Sequence, residues 1–192
     1  MYALGLLALF LFVLGFGFSY FVEKFNLKAF KTFPVWFLGQ TIHFTNPRTN
    51  FILLFLFIFL FNSMAICIYM LSGLLVIFPV IIAFLTGTNI GIIVMQPVPE
   101  ELKEGSFYHP KKDVKLGPVL LFLTGIVPLL ELFVFCYSMA MGMQMASAMF
   151  LNFTWDNAVA LALPRIRMYL ILCVPLLFVS ALAEARVIKE FK

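Results

Sequence analysis

The feature that most constrains this chain is an uninterrupted stretch of 51 uncharged residues between Arg48 and Glu100. A single helix of that length would extend about 76 Å, whereas the hydrocarbon core of a bilayer is about 30 Å thick. The stretch must therefore fold back at least once, and Ser72-Gly73 is the predicted turn. Over all 192 residues, 64% are hydrophobic and 11% are charged, which excludes an ordinary water-soluble domain.

The remaining charges divide the chain into five predicted membrane spans. We predict an all-α, polytopic transmembrane helical bundle that forms a single integral membrane domain over residues 1–192. The spans cover about residues 2–22, 51–71, 74–95, 117–150 and 168–185, separated by an interfacial segment at 23–37 and a polar loop at 96–116. Within the fourth span, Pro128 leaves two alternatives open. The span is either one long tilted helix or a broken or re-entrant helix, in which a half-helix and a break precede a full span.

The distribution of basic residues predicts the orientation. Eleven of the 13 Lys and Arg residues fall in the segments 23–49 and 96–116 or after the last span. Basic residues collect on cytoplasmic loops, so both segments are predicted to face the cytoplasm of a prokaryotic cell membrane. The side of the C-terminus depends on the number of crossings. Five spans place it inside and six place it outside.

Glu131 is the charged residue that lies deepest within a predicted span. An ionised carboxylate at membrane depth is costly, so this group should be protonated, paired or facing a polar cavity. It is either a binding or coupling residue or a structural group bonded to a neighbouring helix. Asn62 and Asn89 are further polar candidates for such a site. Glu184 lies near the end of the last span, where reaching water is the simpler interpretation.

Small residues at four-residue spacing indicate close helix packing. Gly87 and Gly91 form a G-x-x-x-G motif, and a second stripe consists of Ser138, Gly142 and Ala146. Such stripes let helix backbones approach closely. Packing within one chain is the preferred interpretation, and a homodimer interface is the alternative.

Signatures of catalysis and cofactor binding are missing from the sequence. It has no nucleophile elbow, no P-loop and no zinc-protease motif, so we expect a non-enzymatic protein without a metal or cofactor. No basic stripe with interleaved polar residues suggests nucleic-acid binding. The expected partners are the lipid bilayer and other membrane proteins or further copies of the chain.

Three stretches of the chain carry a resemblance to a known family, over residues 61–94, 126–146 and 174–187. The residues that carry it, in chain order, are Asn62, Gly73, Asn89, Gly91, Glu131, Ala181 and Glu184. Together they resemble the stage II sporulation protein M family of bacterial and archaeal integral membrane proteins. The resemblance implies about five spans. Sporulating members of the family help to place peptidoglycan-degrading partners at the septal membrane.

One departure from that family concerns the residues before Glu131. The family pattern has Pro-His-Gly there, whereas Val127 and Pro128 occupy the His and Gly places in this chain.

The leading hypothesis for the function is a membrane scaffold or complex subunit. The alternative is a small transporter or permease component with an intramembrane polar site around Glu131.

Overall fold

The computed structural model describes residues 2–44, 49–96, 118–151 and 154–190. The predicted polar loop 96–116 lies outside the described residues except for Gln96. Within the described ranges the chain is helical and contains no strand, which confirms the all-α prediction. Five helical segments are long and apolar enough to cross a membrane, in agreement with the predicted number of spans.

Seven α-helices, labelled in chain order, make up the described chain. They are α1 (Tyr2–Lys24), α2 (Lys28–Phe44), α3 (Phe51–Leu71), α4 (Phe78–Met95), α5 (Pro118–Leu151), α6 (Trp155–Met168) and α7 (Val174–Glu190). A 3-10 turn at Ser72–Leu74 follows α3, at the predicted fold-back point. A π-helical turn at Tyr169–Cys173 joins α6 to α7, so that Trp155–Lys189 forms one candidate span.

Polar residues define the helix ends. Asn26 adopts a positive φ of 49° after α1, and the backbone N–H of Leu27 donates to the carbonyl of Val22 at 3.0 Å. This pattern is a Schellman motif, which ends a helix by satisfying its last carbonyls. The Asn50 side chain accepts from the backbone N–H of Ile52 and thereby caps the start of α3.

The fourth span is one continuous helix. α5 passes through Pro128 without a break, so the structure has the single-helix form of the two alternatives. Proline removes one backbone hydrogen bond from a helix, but membrane helices tolerate it where neighbouring groups compensate. The Pro128 ring lies on the exposed side of the helix and does not oppose another span.

Two polar contacts define one end of the bundle. Gln96, which follows α4, donates from Nε2 to Oε1 of Glu23 in α1 at 2.7 Å. Lys189 in α7 donates from Nζ to the carbonyl of Thr49, just before α3. Because α3 and α4 are joined by a tight turn and α1 runs parallel to α4, these four residues lie at the same end. We call this the loop end, since both long connections start from it.

α1 and α4 cross with their backbones in contact. A Cβ atom added at Gly15 would lie 2.0 Å from the carbonyl oxygen of Phe84, and one at Gly87 would lie 2.0 Å from that of Phe12. At Gly91 it would lie 2.2 Å from Oγ of Ser19. The G-x-x-x-G motif of α4 therefore packs against α1 of the same chain, where glycine permits close approach.

A second close contact joins the 3-10 turn to α5. A Cβ atom at Gly73 would lie 2.1 Å from the carbonyl oxygen of Gly142, while one at Gly142 would lie 2.7 Å from that of Tyr69. Ser138 and Ala146, one turn to either side of Gly142, are also buried. The small-residue stripe of α5 thus faces the protein interior.

We predict that Gly15→Ala lowers the free energy of unfolding by about 1–3 kcal/mol, because the added methyl group clashes with backbone that cannot move aside. Gly17 is a matched control on the same helix, since a Cβ atom there has nothing within 4 Å. Gly17→Ala should leave stability unchanged or raise it by up to about 1 kcal/mol. Thermal unfolding in detergent measures both effects, and equal destabilisation by the two variants would contradict the prediction.

Candidate functional site

The carboxyl group of Glu131 links three spans. Its Oε1 atom accepts a hydrogen bond from Nδ2 of Asn62 in α3 at 2.9 Å and another from Oγ of Ser180 in α7 at 3.1 Å. Glu131 itself belongs to α5. One side chain therefore connects three helices that are far apart in the sequence.

This link lies deep within the spans. At about 1.5 Å per residue, about 16 Å of helix separates Asn62 from Phe51 and about 20 Å separates Glu131 from Pro118. Polar groups in hydrocarbon must find partners within the protein. The two donors supply those partners, so Glu131 is a bonded group within the bundle.

Glu184 adds a second acidic side chain to the same place. It follows Ser180 by one helical turn, which places both side chains on one face of α7. Its half-buried carboxyl group interacts electrostatically with Glu131. We call Asn62, Glu131, Ser180 and Glu184 the Glu131 cluster.

Aromatic contacts also hold the last span against α3. The Phe178 ring packs edge-on against Phe55 and Phe59, with ring centroids 5.0 and 5.7 Å apart. Further along, the hydroxyl of Tyr169 donates to the carbonyl oxygen of Ser63 at 3.0 Å. These contacts lie along the same helix pair that carries Asn62 and Ser180, so the cluster belongs to an extended interface.

The π-helical turn that places Tyr169 has a local cause. The N–H of Val174 donates to the carbonyl of Tyr169, five residues earlier, and the next residue is Pro175. Proline has no N–H to continue the regular ladder, and a single wide turn is a common way to absorb such a disruption. The turn also leaves Cys173 fully buried in the core.

The structure divides the predicted polar residues into two groups. Asn62, Glu131 and Glu184 come together, whereas Asn89 lies half-buried on α4 and contributes no hydrogen bond to the cluster. Glu184 is half-buried on the face of α7 that carries Ser180, and a charge on it would interact with that of Glu131. Ser180 was not predicted as a site residue, although its four-residue spacing from Glu184 was a usable signal.

The residues at the family's His and Gly places differ in exposure. Val127 is buried and precedes Glu131 by one turn on the same face, whereas Pro128 is exposed. An apolar side chain therefore lies one helical turn before Glu131, at the place where the resemblance implies a histidine. In the described part of the chain, no group of three or more His, Cys, Asp or Glu residues could hold a metal ion.

A comparison with protein families identifies the chain. A family model described as Stage II sporulation protein M matches residues 6–187. The chain belongs to this family. The match confirms the resemblance and includes every residue of the Glu131 cluster. Together with the five candidate spans, it shows a membrane protein. No match to the chain was found among curated proteins or among solved structures.

We predict that Glu131→Leu destabilises the protein by about 1–3 kcal/mol, because it removes both hydrogen bonds and leaves the Asn62 amide without its acceptor. Glu131→Gln keeps an oxygen at the same position and should change stability by less than about 1 kcal/mol. Unfolding by heat or by SDS in mixed micelles measures the difference. A Leu variant as stable as the parent would show that the cluster does not fasten the helices.

Proposed function

We propose that this member of the stage II sporulation protein M family is a non-enzymatic membrane scaffold, a subunit that positions partner proteins within a larger membrane complex. The observation that carries this proposal is the pair of hydrogen bonds that the Glu131 carboxyl group accepts. Glu131, the acidic residue of α5, accepts hydrogen bonds from side chains of α3 and α7. It thereby contributes to a fixed arrangement of helices, which a scaffold requires.

The outer surface of the bundle supports the same proposal. α1 exposes large apolar side chains such as Leu6, Phe10 and Val13, and α5 exposes Phe122 and Phe133. In a membrane these faces contact lipid or the spans of other proteins, and association there depends on shape and packing. A rigid core with extensive apolar faces is suited to holding partners in fixed positions.

The proposal predicts a specific co-purifying partner or a defined oligomer. We expect cross-linking in the native membrane, followed by purification in mild detergent, to yield a discrete larger species. Glu131→Gln should preserve that species, whereas Glu131→Leu should weaken it because the helices lose their fixed rotation. A parent protein that is strictly monomeric and has no partner under these conditions would overturn the proposal.

A small transporter or permease component is the second candidate function. Its support is the polar cluster inside the bundle, where Glu131 accepts hydrogen bonds from Asn62 and Ser180 and Glu184 follows Ser180 by one helical turn. Intramembrane carboxylates often belong to ion or substrate pathways. Ion or solute flux into liposomes separates the two candidates. A flux lost in Glu131→Gln favours the transporter, whereas identical flux in parent and variant removes Glu131 from any such role.

We also propose that the protein lies in the cell membrane with its loop end in the cytoplasm. In the described residues, Lys24, Lys28, Lys31, Arg186 and Lys189 lie toward the loop end, whereas Arg165 and Arg167 precede the last predicted span at the other end. This asymmetry follows the positive-inside rule. A cysteine introduced at Ser106 should react with an impermeant thiol reagent in inverted vesicles only, and labelling in intact cells would reverse the assignment.

A further inference from the structure

We propose that α2 and the end of α1 form a binding surface for the headgroups of anionic phospholipids. The surface consists of Lys24, Phe25, Lys28, Phe33 and Trp36, and we call it the α2 face. It goes beyond the scaffold role, because it specifies a lipid class that this protein recruits. The chemistry recognised is a phosphate that carries a net negative charge and lies at the headgroup level.

The first support is exposure. Phe25, Phe33 and Trp36 have 63%, 56% and 58% of their surfaces exposed, and both lysines are exposed as well. Trp36 and Phe33 follow the lysines along α2, where exposed aromatic rings can contact the acyl chains of a lipid whose phosphate the lysines bind. The ammonium group of Lys24 lies 5.9 Å from the centroid of the Phe25 ring. Aromatic and cationic side chains are therefore accessible along the same segment of the chain.

The second support is the local charge balance. Glu23 is the one acidic residue between positions 1 and 50. One of its carboxylate oxygens pairs with Lys31 at 2.6 Å, and the other accepts the hydrogen bond from Gln96 at 2.7 Å. Within the described residues, Lys24 and Lys28 have no acidic partner, so their positive charge is directed outward.

The third support is the position of α2 relative to the bundle. Near its start, the Phe30 ring packs against Phe18 of α1 with centroids 5.6 Å apart. Further along, Phe37 stacks on Phe61 of α3 at 4.7 Å. Phe61 lies about 15 Å along α3 from its first residue. The helix thus descends from the loop end into one leaflet, with its lysines at the level of the headgroups.

Fluorescence of Trp36 tests this proposal directly. The chain has two tryptophans, so Trp155→Phe leaves Trp36 as the single emitter. This full-length protein is reconstituted into phosphatidylcholine vesicles that contain nitroxide-labelled phosphatidylglycerol or nitroxide-labelled phosphatidylcholine. We expect stronger quenching by the anionic lipid, with an enrichment of about fivefold for each lysine at low salt. The preference should decrease as salt is added, because ions screen exposed charges.

Paired substitutions identify the residues responsible. Lys24→Gln with Lys28→Gln should abolish the preference for phosphatidylglycerol, and both exposed positions tolerate a polar replacement. Arg165→Gln with Arg167→Gln removes the same charge from the other end and should preserve the preference. Equal quenching by the two lipids in the parent would overturn the proposal. A preference that survives the lysine substitutions, or disappears with the arginine substitutions, would also overturn it.

Discussion

The arrangement of α3, α5 and α7 depends on the need of one carboxyl group for partners inside a membrane. Water cannot solvate Glu131 at the depth where the sequence places it, so the protein itself must supply donors. Asn62 and Ser180 supply them, and a hydrogen bond requires each donor to point at the same oxygen. That requirement fixes how each of the three helices is rotated about its own axis, which apolar packing alone specifies poorly.

A different kind of interaction joins α1 to α4. No charged pair is needed along that crossing, because Gly15 and Gly87 let the two backbones touch and gain dispersion contacts. The 3-10 turn connects the two regions, since Gly73 contacts Gly142 of α5 at the end opposite the loop end. The fold therefore combines a polar link between α3, α5 and α7 with a mainly steric contact between α1 and α4, to which Gln96 and Glu23 add one hydrogen bond at the loop end.

The spans were predictable from the sequence because hydrocarbon imposes a strict rule on length and polarity. The need for a fold-back followed from the same rule, and the turn-forming pair Ser72-Gly73 indicated its position. The contact partners of individual residues were harder to predict, because they depend on helix rotation and on contacts between distant segments. Thus Gly15 and Ser19 were not predicted to pack against α4, although their four-residue spacing is that of a small-residue stripe. Asn62 and Asn89 looked equivalent, but of the two Asn62 meets Glu131. Pro128 was ambiguous because a membrane helix can absorb a proline or break at it.

The pairing of α1 with α4 determines when each part of the fold can form during synthesis. Gly87 follows Gly15 by 72 residues, so α1 enters the membrane well before the surface that it contacts has been made. At roughly 5–20 residues per second, the interval lasts several seconds. During that time the glycine face of α1 is covered by lipid or by the insertion machinery. In chain order, Asn62 and Glu131 are both made before Ser180, so the acceptor can form its first hydrogen bond before the donor for the second has been synthesised.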